Sequence, residues 1–352
     1  MINADFSKNV LTIGCSYKQP KGGVAQVIKN YEDYVFSDFK CVVNSGGVSR
    51  IAKLFKAVIG YLEMFFRLLL DRKIQIVHIH TASYNSFKRS SCFLRLANAF
   101  NKKTVLHIHG GGFKEYYNTN PRWISSMLNK CDTIIVLSES WKSFFESIVD
   151  VPKIRILENI VSYPQKENNL WRNCKLHLLF LGKICIEKGI FDLLEMLYEH
   201  KIELSGKLVL HIGGNGMVNE LTKKIQEFGL SDLVIYEGFV SGKHKNDLLN
   251  SCDVFILPSY TEGLPISILE SMSYGKPILS TPVGGIPETV RKGENGILFT
   301  PGNKEEMFSA ISKLLFDEAL RKYMGEKSLE IVKSYMPDSV SAKLKKIYEE
   351  LI

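Results

Sequence analysis

Short apolar runs recur along the chain, separated by longer stretches whose apolar residues are spaced for one helical face. In the first half the runs are NVLTIG, KCVVN, IQIVHIH, TVLHIHG, DTIIVLS and KIRILEN. In the second they are LHLLFLG, KLVLHIGG, LVIYEG, DVFILPS, PILST and GILFT. Runs of this length, rich in β-branched residues and flanked by Gly, Pro, Ser or Asn, predict buried strands. Their alternation with helices predicts parallel sheets covered on both faces. The chain therefore reads as α/β, with two Rossmann-like doubly wound domains over residues 1–165 and 166–336 and a final helix over 337–352. The polar segment Val161–Cys174, containing SYPQKENN, reads as the linker. Two such sheets facing a cleft would place a ligand site there, at their strand carboxyl ends.

The richest local pattern is PSYTEGLPISILESMSYGKPILSTPVGGIPE, Pro258 to Glu288. DVFILPS is a strand and ISILESMSYG a helix, which stops at Gly275 before Lys276-Pro277. Pro265 suits the first helical position, where a missing N–H costs nothing. The loop Glu262-Gly263-Leu264 then lies between a strand end and a helix start, where free backbone N–H groups favour an anion. Glu262 and Glu270, with seven residues between them, flank that site. Two carboxylates beside an anion make sense for a ligand that also carries hydroxyls, as a sugar nucleotide does.

Other loops after strands carry weaker signals. LFLGKICIEKG puts Lys183 and Lys188 around a short loop before a helix. Two ammonium groups at a helix start would hold a diphosphate and stabilise it as a leaving group; equally, such a pair is ordinary solvated surface. HIGGNG offers Gly214 and Gly216, but Asn219 stands where a dinucleotide fingerprint has its third glycine. In YEGFV, Phe239 and Val240 could wall a base-binding slot or simply pack a turn. Gly22 and Gly23, after Lys21, permit close backbone approach to a phosphate or sugar. VHIHTAS and LHIHGGG place His78 with His80, and His107 with His109, on shared strand faces. His80 and His109 lie nearer the strand ends, and His78 and His107 read as core. No carboxylate accompanies the four at ligand spacing and no D-x-D occurs, so no metal and no cofactor is expected.

Composition narrows the setting. Seven scattered cysteines without a C-x-x-C pair argue against a disulfide framework or a zinc site and fit a reducing compartment. MINADFSKNV lacks a signal-peptide pattern, and no apolar run approaches the ~18 residues needed to span a bilayer, so a cytoplasmic protein is expected. Residues 1–165 hold 22 Lys and Arg against 12 Asp and Glu, while the remainder holds 23 against 25. The basic half implies an anionic partner. No RNP-like motif accompanies it, so nucleic acid ranks last. Leu54–Lys73 reads either as an amphipathic helix that could lie on an anionic membrane surface, or as a helix packed against the sheet.

In sequence order these motifs are G-G after the first strand, H-G after a later one, G-K-x₄-K-G, G-G-x-G, then E-x₇-E followed by G-G-x-P-E. Together they resemble a retaining glycosyltransferase of family 4, most strongly from Leu181 to Glu288. The resemblance implies the GT-B fold, with a final helix over residues 337–352 returning to the N-terminal, acceptor-binding domain. It implies that Glu270 binds ribose hydroxyls and that Glu262, with Gly263 and Leu264 beside it, contacts the donor sugar. Lys183 and Lys188 match the basic pair on the donor diphosphate, although the first position is more often arginine. Gly22 and Gly23 match the glycine loop, His109 the histidine facing sugar and acceptor, and Asn159 the asparagine closing the first domain.

The expected partners are a nucleotide-sugar donor, with UDP preferred, and a glycan or lipid diphosphate-linked oligosaccharide acceptor in bacterial surface polysaccharide assembly. The expected reaction is metal-independent attack from the face the leaving group departs. Rival readings are a UDP-N-acetylglucosamine 2-epimerase-like enzyme, a non-catalytic partner subunit and, less favoured, a dinucleotide dehydrogenase.

Overall fold

In the computed structural model, residues 1–20, 22–47, 49–149, 154–165 and 174–352 are described. Lys21 of the first glycine loop and residues 166–173 of the polar linker segment lie outside them. The chain divides into two compact units, one made of Met1–Ser162 with Tyr335–Ile352 and the other of Tyr163–Ser334.

The first unit carries β1 (Val10–Cys15), β2 (Cys41–Ser45), β3 (Ile76–Thr81), β4 (Lys103–Ile108), β5 (Thr133–Val136) and β6 (Ile154–Ile156). They form one parallel sheet in the order β2-β1-β3-β4-β5-β6. β3 is buried at every position, as a parallel strand covered on both faces must be. Leu11, Ile13, Ile79, Leu106 and Ile134 of the strands pack with Phe87, Phe93, Phe113 and Phe145 of the helices.

The second unit carries β7 (Leu176–Leu181), β8 (Leu208–Gly213), β9 (Val234–Gly238), β10 (Val254–Leu257), β11 (Ile278–Ser280) and β12 (Gly296–Leu298). Their order is β12-β11-β10-β7-β8-β9, again all parallel. β7 and β8 are buried throughout.

Each sheet reverses its winding at one place. In the first unit it falls between β1 and β3, and in the second between β7 and β10. At such a switch point the crossovers leave to opposite faces, and the carboxyl ends of the two strands frame an open crevice. The loops carrying Gly22, Lys183 with Lys188, and Glu262 follow β1, β7 and β10, and His80 lies near the end of β3, whereas His109, Gly214 and Phe239 follow β4, β8 and β9. One boundary moved: Pro265 stands just before the helix Ile266–Ser273, as its cap, rather than at its first position. The expected stop holds, with Gly275 at φ 70° after Tyr274.

Candidate functional site

In the second unit, the strand before the switch point ends at Leu181 and feeds the loop Gly182–Cys185. A single 3₁₀ turn, Ile186–Lys188, follows, and then the helix Ile190–Glu199. Gly189 joins turn to helix at φ 66°, and a Cβ there would lie 2.0 Å from the Pro258 carbonyl oxygen. Only glycine allows the β7 loop to lie this close to the end of β10. That approach delivers Lys188 to Glu262: the ammonium donates to Oε1, which also accepts from the Ser259 hydroxyl at 2.8 Å. Glu262 is 8% exposed, so its charge is held by these two partners rather than by water. Lys183 is exposed at the end of β7.

Glu270 is also buried, and its Oε1 accepts from Lys245 Nζ at 2.6 Å. Lys245 comes from the helix Gly242–Ser251 and was not singled out from the sequence. Each glutamate of the E-x₇-E pair therefore has its own lysine. Gly263 and Leu264 are buried. The Gly263 carbonyl accepts from Gly285 N at 2.7 Å, and a Cβ on Gly284 would come 2.1 Å from the Glu262 carbonyl oxygen. The first glycine of the G-G-x-P-E segment is thus explained by backbone packing on the glutamate loop.

The same test separates the other glycines. A Cβ on Gly214 would meet the Gly182 carbonyl at 1.9 Å, and one on Gly216, at φ 130°, the Ile184 carbonyl at 2.3 Å. Ile184 N donates to the Asn215 carbonyl at 2.7 Å, and Met217 N to that of Ile184 at 2.8 Å. These glycines let the β7 and β8 loops lie against each other. Val240 packs over Gly213, while Phe239 is 47% exposed.

In the first unit, Gly22 and Gly23 begin the helix Gly23–Asn30, and a Cβ on either would meet nothing within 4 Å. No packing demands glycine here; the missing side chains leave the helix start open. Near Cys15 at the end of β1, Arg89 has its pKa lowered by burial, and its Nε has no hydrogen-bond partner among the described residues. Sequence reasoning counted Arg89 only as one basic residue among many.

The parallel register places His80 beside His107, and the four histidines form one stack. Ring centroids lie 4.4 Å apart for His78 and His80, 5.1 Å for His80 and His109, and 4.0 Å for His107 and His109. His80 Nδ1 and His109 Nε2 share a hydrogen bond at 2.9 Å, His78 Nε2 faces His107 Nδ1 at 3.3 Å, and His78 Nδ1 meets the Tyr348 hydroxyl at 2.5 Å. Desolvation pushes His78 down to about 3 and lowers His80, His107 and His109 as well. The buried Asn159, beside His109, works against that lowering. All four rings are neutral near pH 7. The expectation that His80 and His109 stand apart from two core histidines needs correcting: His80 is as enclosed as His78 and His107, and only His109 is less so. Ring nitrogens of His78, His80 and His107 come within 4.8 Å of one another. In a tetrahedral site with bonds of about 2.0–2.1 Å, the ligand nitrogens would stand closer than that. Here the in-plane nitrogens of His78 already face Tyr348 and His107.

Two parallel-sheet units, each with its loops at a switch point, are the architecture of the GT-B glycosyltransferases. The chain superposes on sucrose-phosphate synthase from Thermosynechococcus elongatus with a TM-score of 0.78 at 17% identity, over 97% of this chain and 98% of that one. Anabaena HepE, solved in complex with UDP-glucose, gives 0.76 at 18% identity over 97% and 99%. Residues 35–163 match the profile described as glycosyltransferase family 4, and residues 164–330 that of glycosyl transferases group 1. The chain belongs to glycosyltransferase family 4. An uncharacterized glycosyltransferase of Methanocaldococcus jannaschii is 28% identical over 84% of this chain and 79% of its own. The N,N'-diacetylbacillosaminyl-diphospho-undecaprenol alpha-1,3-N-acetylgalactosaminyltransferase of Campylobacter jejuni is 28% identical over 53% and 49%.

Proposed function

We propose that this glycosyltransferase moves a hexose from a UDP-sugar to a hydroxyl of a lipid diphosphate-linked oligosaccharide, with retention at the anomeric carbon, in bacterial surface polysaccharide assembly at the cytoplasmic face of a membrane. The observation that carries the reading is the pairing of Lys188 with Glu262 and of Lys245 with Glu270 beside one switch point. Lysines there suit a diphosphate, and carboxylates suit hydroxyls.

In this reading Glu270 takes the ribose hydroxyls and Phe239 stacks on the base. Glu262, with Gly263 and Leu264, orients the transferred sugar. As the bond from the anomeric carbon to phosphate lengthens, negative charge builds on the diphosphate. Lys183 and Lys188 offset that charge without calling on a metal, because a preorganised ammonium costs no reorganisation when the charge appears. In the first unit the open Gly22-Gly23 helix start and Arg89 receive phosphate, and neutral His109 faces the acceptor, backed by the enclosed His80 through their shared hydrogen bond. The acceptor hydroxyl attacks on the face the phosphate leaves, and the departing phosphate oxygen takes its proton. The UDP-glucose in the HepE crystal and the diphospho-undecaprenol in the Campylobacter enzyme's name support the choice of donor and acceptor class.

A thermal-shift screen against UDP-, GDP- and ADP-sugars tests the donor, since a ligand that binds the folded state raises its melting temperature. Stabilisation by UDP-sugars is expected; stabilisation by GDP- or ADP-sugars alone overturns the nucleotide assignment. The anomeric configuration of the product, read by NMR, tests retention. Epimerised donor formed with no acceptor present would favour the epimerase-like reading.

A further inference from the structure

The helix Arg50–Leu70 is apolar on two opposite sides. One side is in the core: Gly60, Met64 and Leu68 are buried, and a Cβ on Gly60 would lie 2.4 Å from the Val43 carbonyl oxygen. The sheet-packed reading of this segment is thus correct for that side. At 3.6 residues per turn, Ile51, Phe55, Val58, Leu62, Phe66 and Leu69 fall into a single stripe on the other side. All six are more than half exposed, from 51% at Val58 and Leu62 to 81% at Ile51. A helix apolar on both sides is expected inside a core or against a membrane, and an outward stripe of this size is unusual on a soluble monomer.

Charge decides what covers it. Glu63 is the helix's single acid, and it is paired with Arg67 at 2.9 Å. Lys53 and Lys56 are exposed on the helix, and Arg72 and Lys73 are exposed just after it. A basic rim around an apolar stripe, in a half of the chain with ten more basic than acidic side chains, complements an anionic lipid surface. A helix on such a surface would lie along it without crossing, because one side is committed to the sheet and Lys53, Lys56, Glu63 and Arg67 interrupt its length.

We propose that the stripe from Ile51 to Leu69 seats in the interface of an anionic phospholipid bilayer, with Leu62 and Phe66 at its centre and Lys53, Lys56, Arg72 and Lys73 against the lipid phosphates. This deepens the reading of a lipid-borne acceptor and rests on it for its purpose. A helix docked this way holds the first unit where such an acceptor is found.

The test is flotation of the full chain with phosphatidylcholine–phosphatidylglycerol vesicles and with phosphatidylcholine alone, alongside the thermal shift with UDP. The wild type is expected to float with the anionic vesicles and to detach as salt is raised. Leu62→Glu with Phe66→Glu should cut vesicle binding by about tenfold or more, because the apolar area that drives it is lost. Lys53→Gln with Lys56→Gln should weaken binding to anionic vesicles only. Both variants should keep the UDP-dependent shift, which also shows that they fold. Wild type that fails to float, glutamate variants that float as well as wild type, or equal binding to neutral vesicles overturns the proposal. So does a concentration-dependent dimer that the glutamate pair dissolves, which would assign the stripe to a second copy. Intact flotation with no UDP shift would instead sink the donor assignment and leave the lipid surface standing.

Discussion

Lys245 donates to Glu270 across 2.6 Å, and both side chains are largely out of water. The carboxylate that the family resemblance assigns to ribose is therefore held in place by an ammonium from a different helix. Such a pair fixes Glu270 through Oε1 and leaves its second oxygen for a ligand.

Removing either partner should have separable effects. Glu270→Ala should abolish the stabilisation of the protein by UDP-sugars. Lys245→Met leaves a buried carboxylate without its cation, which should cost about 1–3 kcal/mol after allowing for the part-exposed lysine. A denaturant midpoint for the second unit that does not move on Lys245→Met would show the pair to be incidental. Undiminished transfer by Glu270→Ala would remove the central assignment.

Lys188 is expected to act on turnover more than on binding. Lys188→Ala should lower kcat by about 10²–10³-fold, the range for losing one preorganised group at a developing charge, with a smaller change in KM. Steady-state kinetics on the folded fraction read the split. A pure KM effect would move Lys188 from the leaving group to ground-state binding.

The glycines should divide by what surrounds them. Gly189→Ala and Gly214→Ala push a methyl into a carbonyl oxygen and should each destabilise the second unit by at least about 2 kcal/mol. Gly23→Ala meets nothing within 4 Å and should leave stability within about 0.5 kcal/mol of wild type while weakening transfer. Urea titrations of the three variants, set beside their activities, check this.

Acid should loosen the first unit. Burial holds His78 near 3 and lowers its three neighbours, whereas in the unfolded chain each would titrate at about 6.5. Between those values the unfolded state binds more protons. The histidine contribution to stability is therefore complete above about pH 6.5 and is lost as pH falls toward 3, at up to about 1.4 kcal/mol per pH unit for each ring. Circular dichroism during urea unfolding at pH 7.5, 6.5 and 5.5 should give falling midpoints. A flat series would mean that the cluster titrates as free imidazole.

Transfer should continue undiminished in excess chelator if Lys183 and Lys188 meet the diphosphate charge. A strict divalent-ion requirement would refute that part of the mechanism.

Every strand announced by an apolar run exists, because a strand covered on both faces must be almost wholly apolar and few other elements are. The ends were read too generously: KIRILEN contains only Ile154–Ile156. The E-x₇-E loop and the two lysines before Gly189 were legible because strand, loop and helix are local. Lys245 was not, since only the parallel order β10-β7-β8-β9 brings its helix beside Glu270. Tyr348 lies 270 residues from His78, and no periodicity reports such a contact. The glycines were visible as a pattern, yet whether each serves a ligand or a neighbouring carbonyl depends on which loops meet. Arg89 looked like surface charge because nothing in its local sequence hints at enclosure.

The Tyr348 hydroxyl has a consequence for biosynthesis. It belongs to the helix Pro337–Glu349, which also ties Lys343 to Glu158 and Val340, Leu344 and Tyr348 into the first unit's interior. The second unit is one continuous stretch of chain, but the first cannot be finished until the ribosome has released residue 348. The half that is translated first is thus the last to complete, and its histidine stack waits on the emerging tail for a partner.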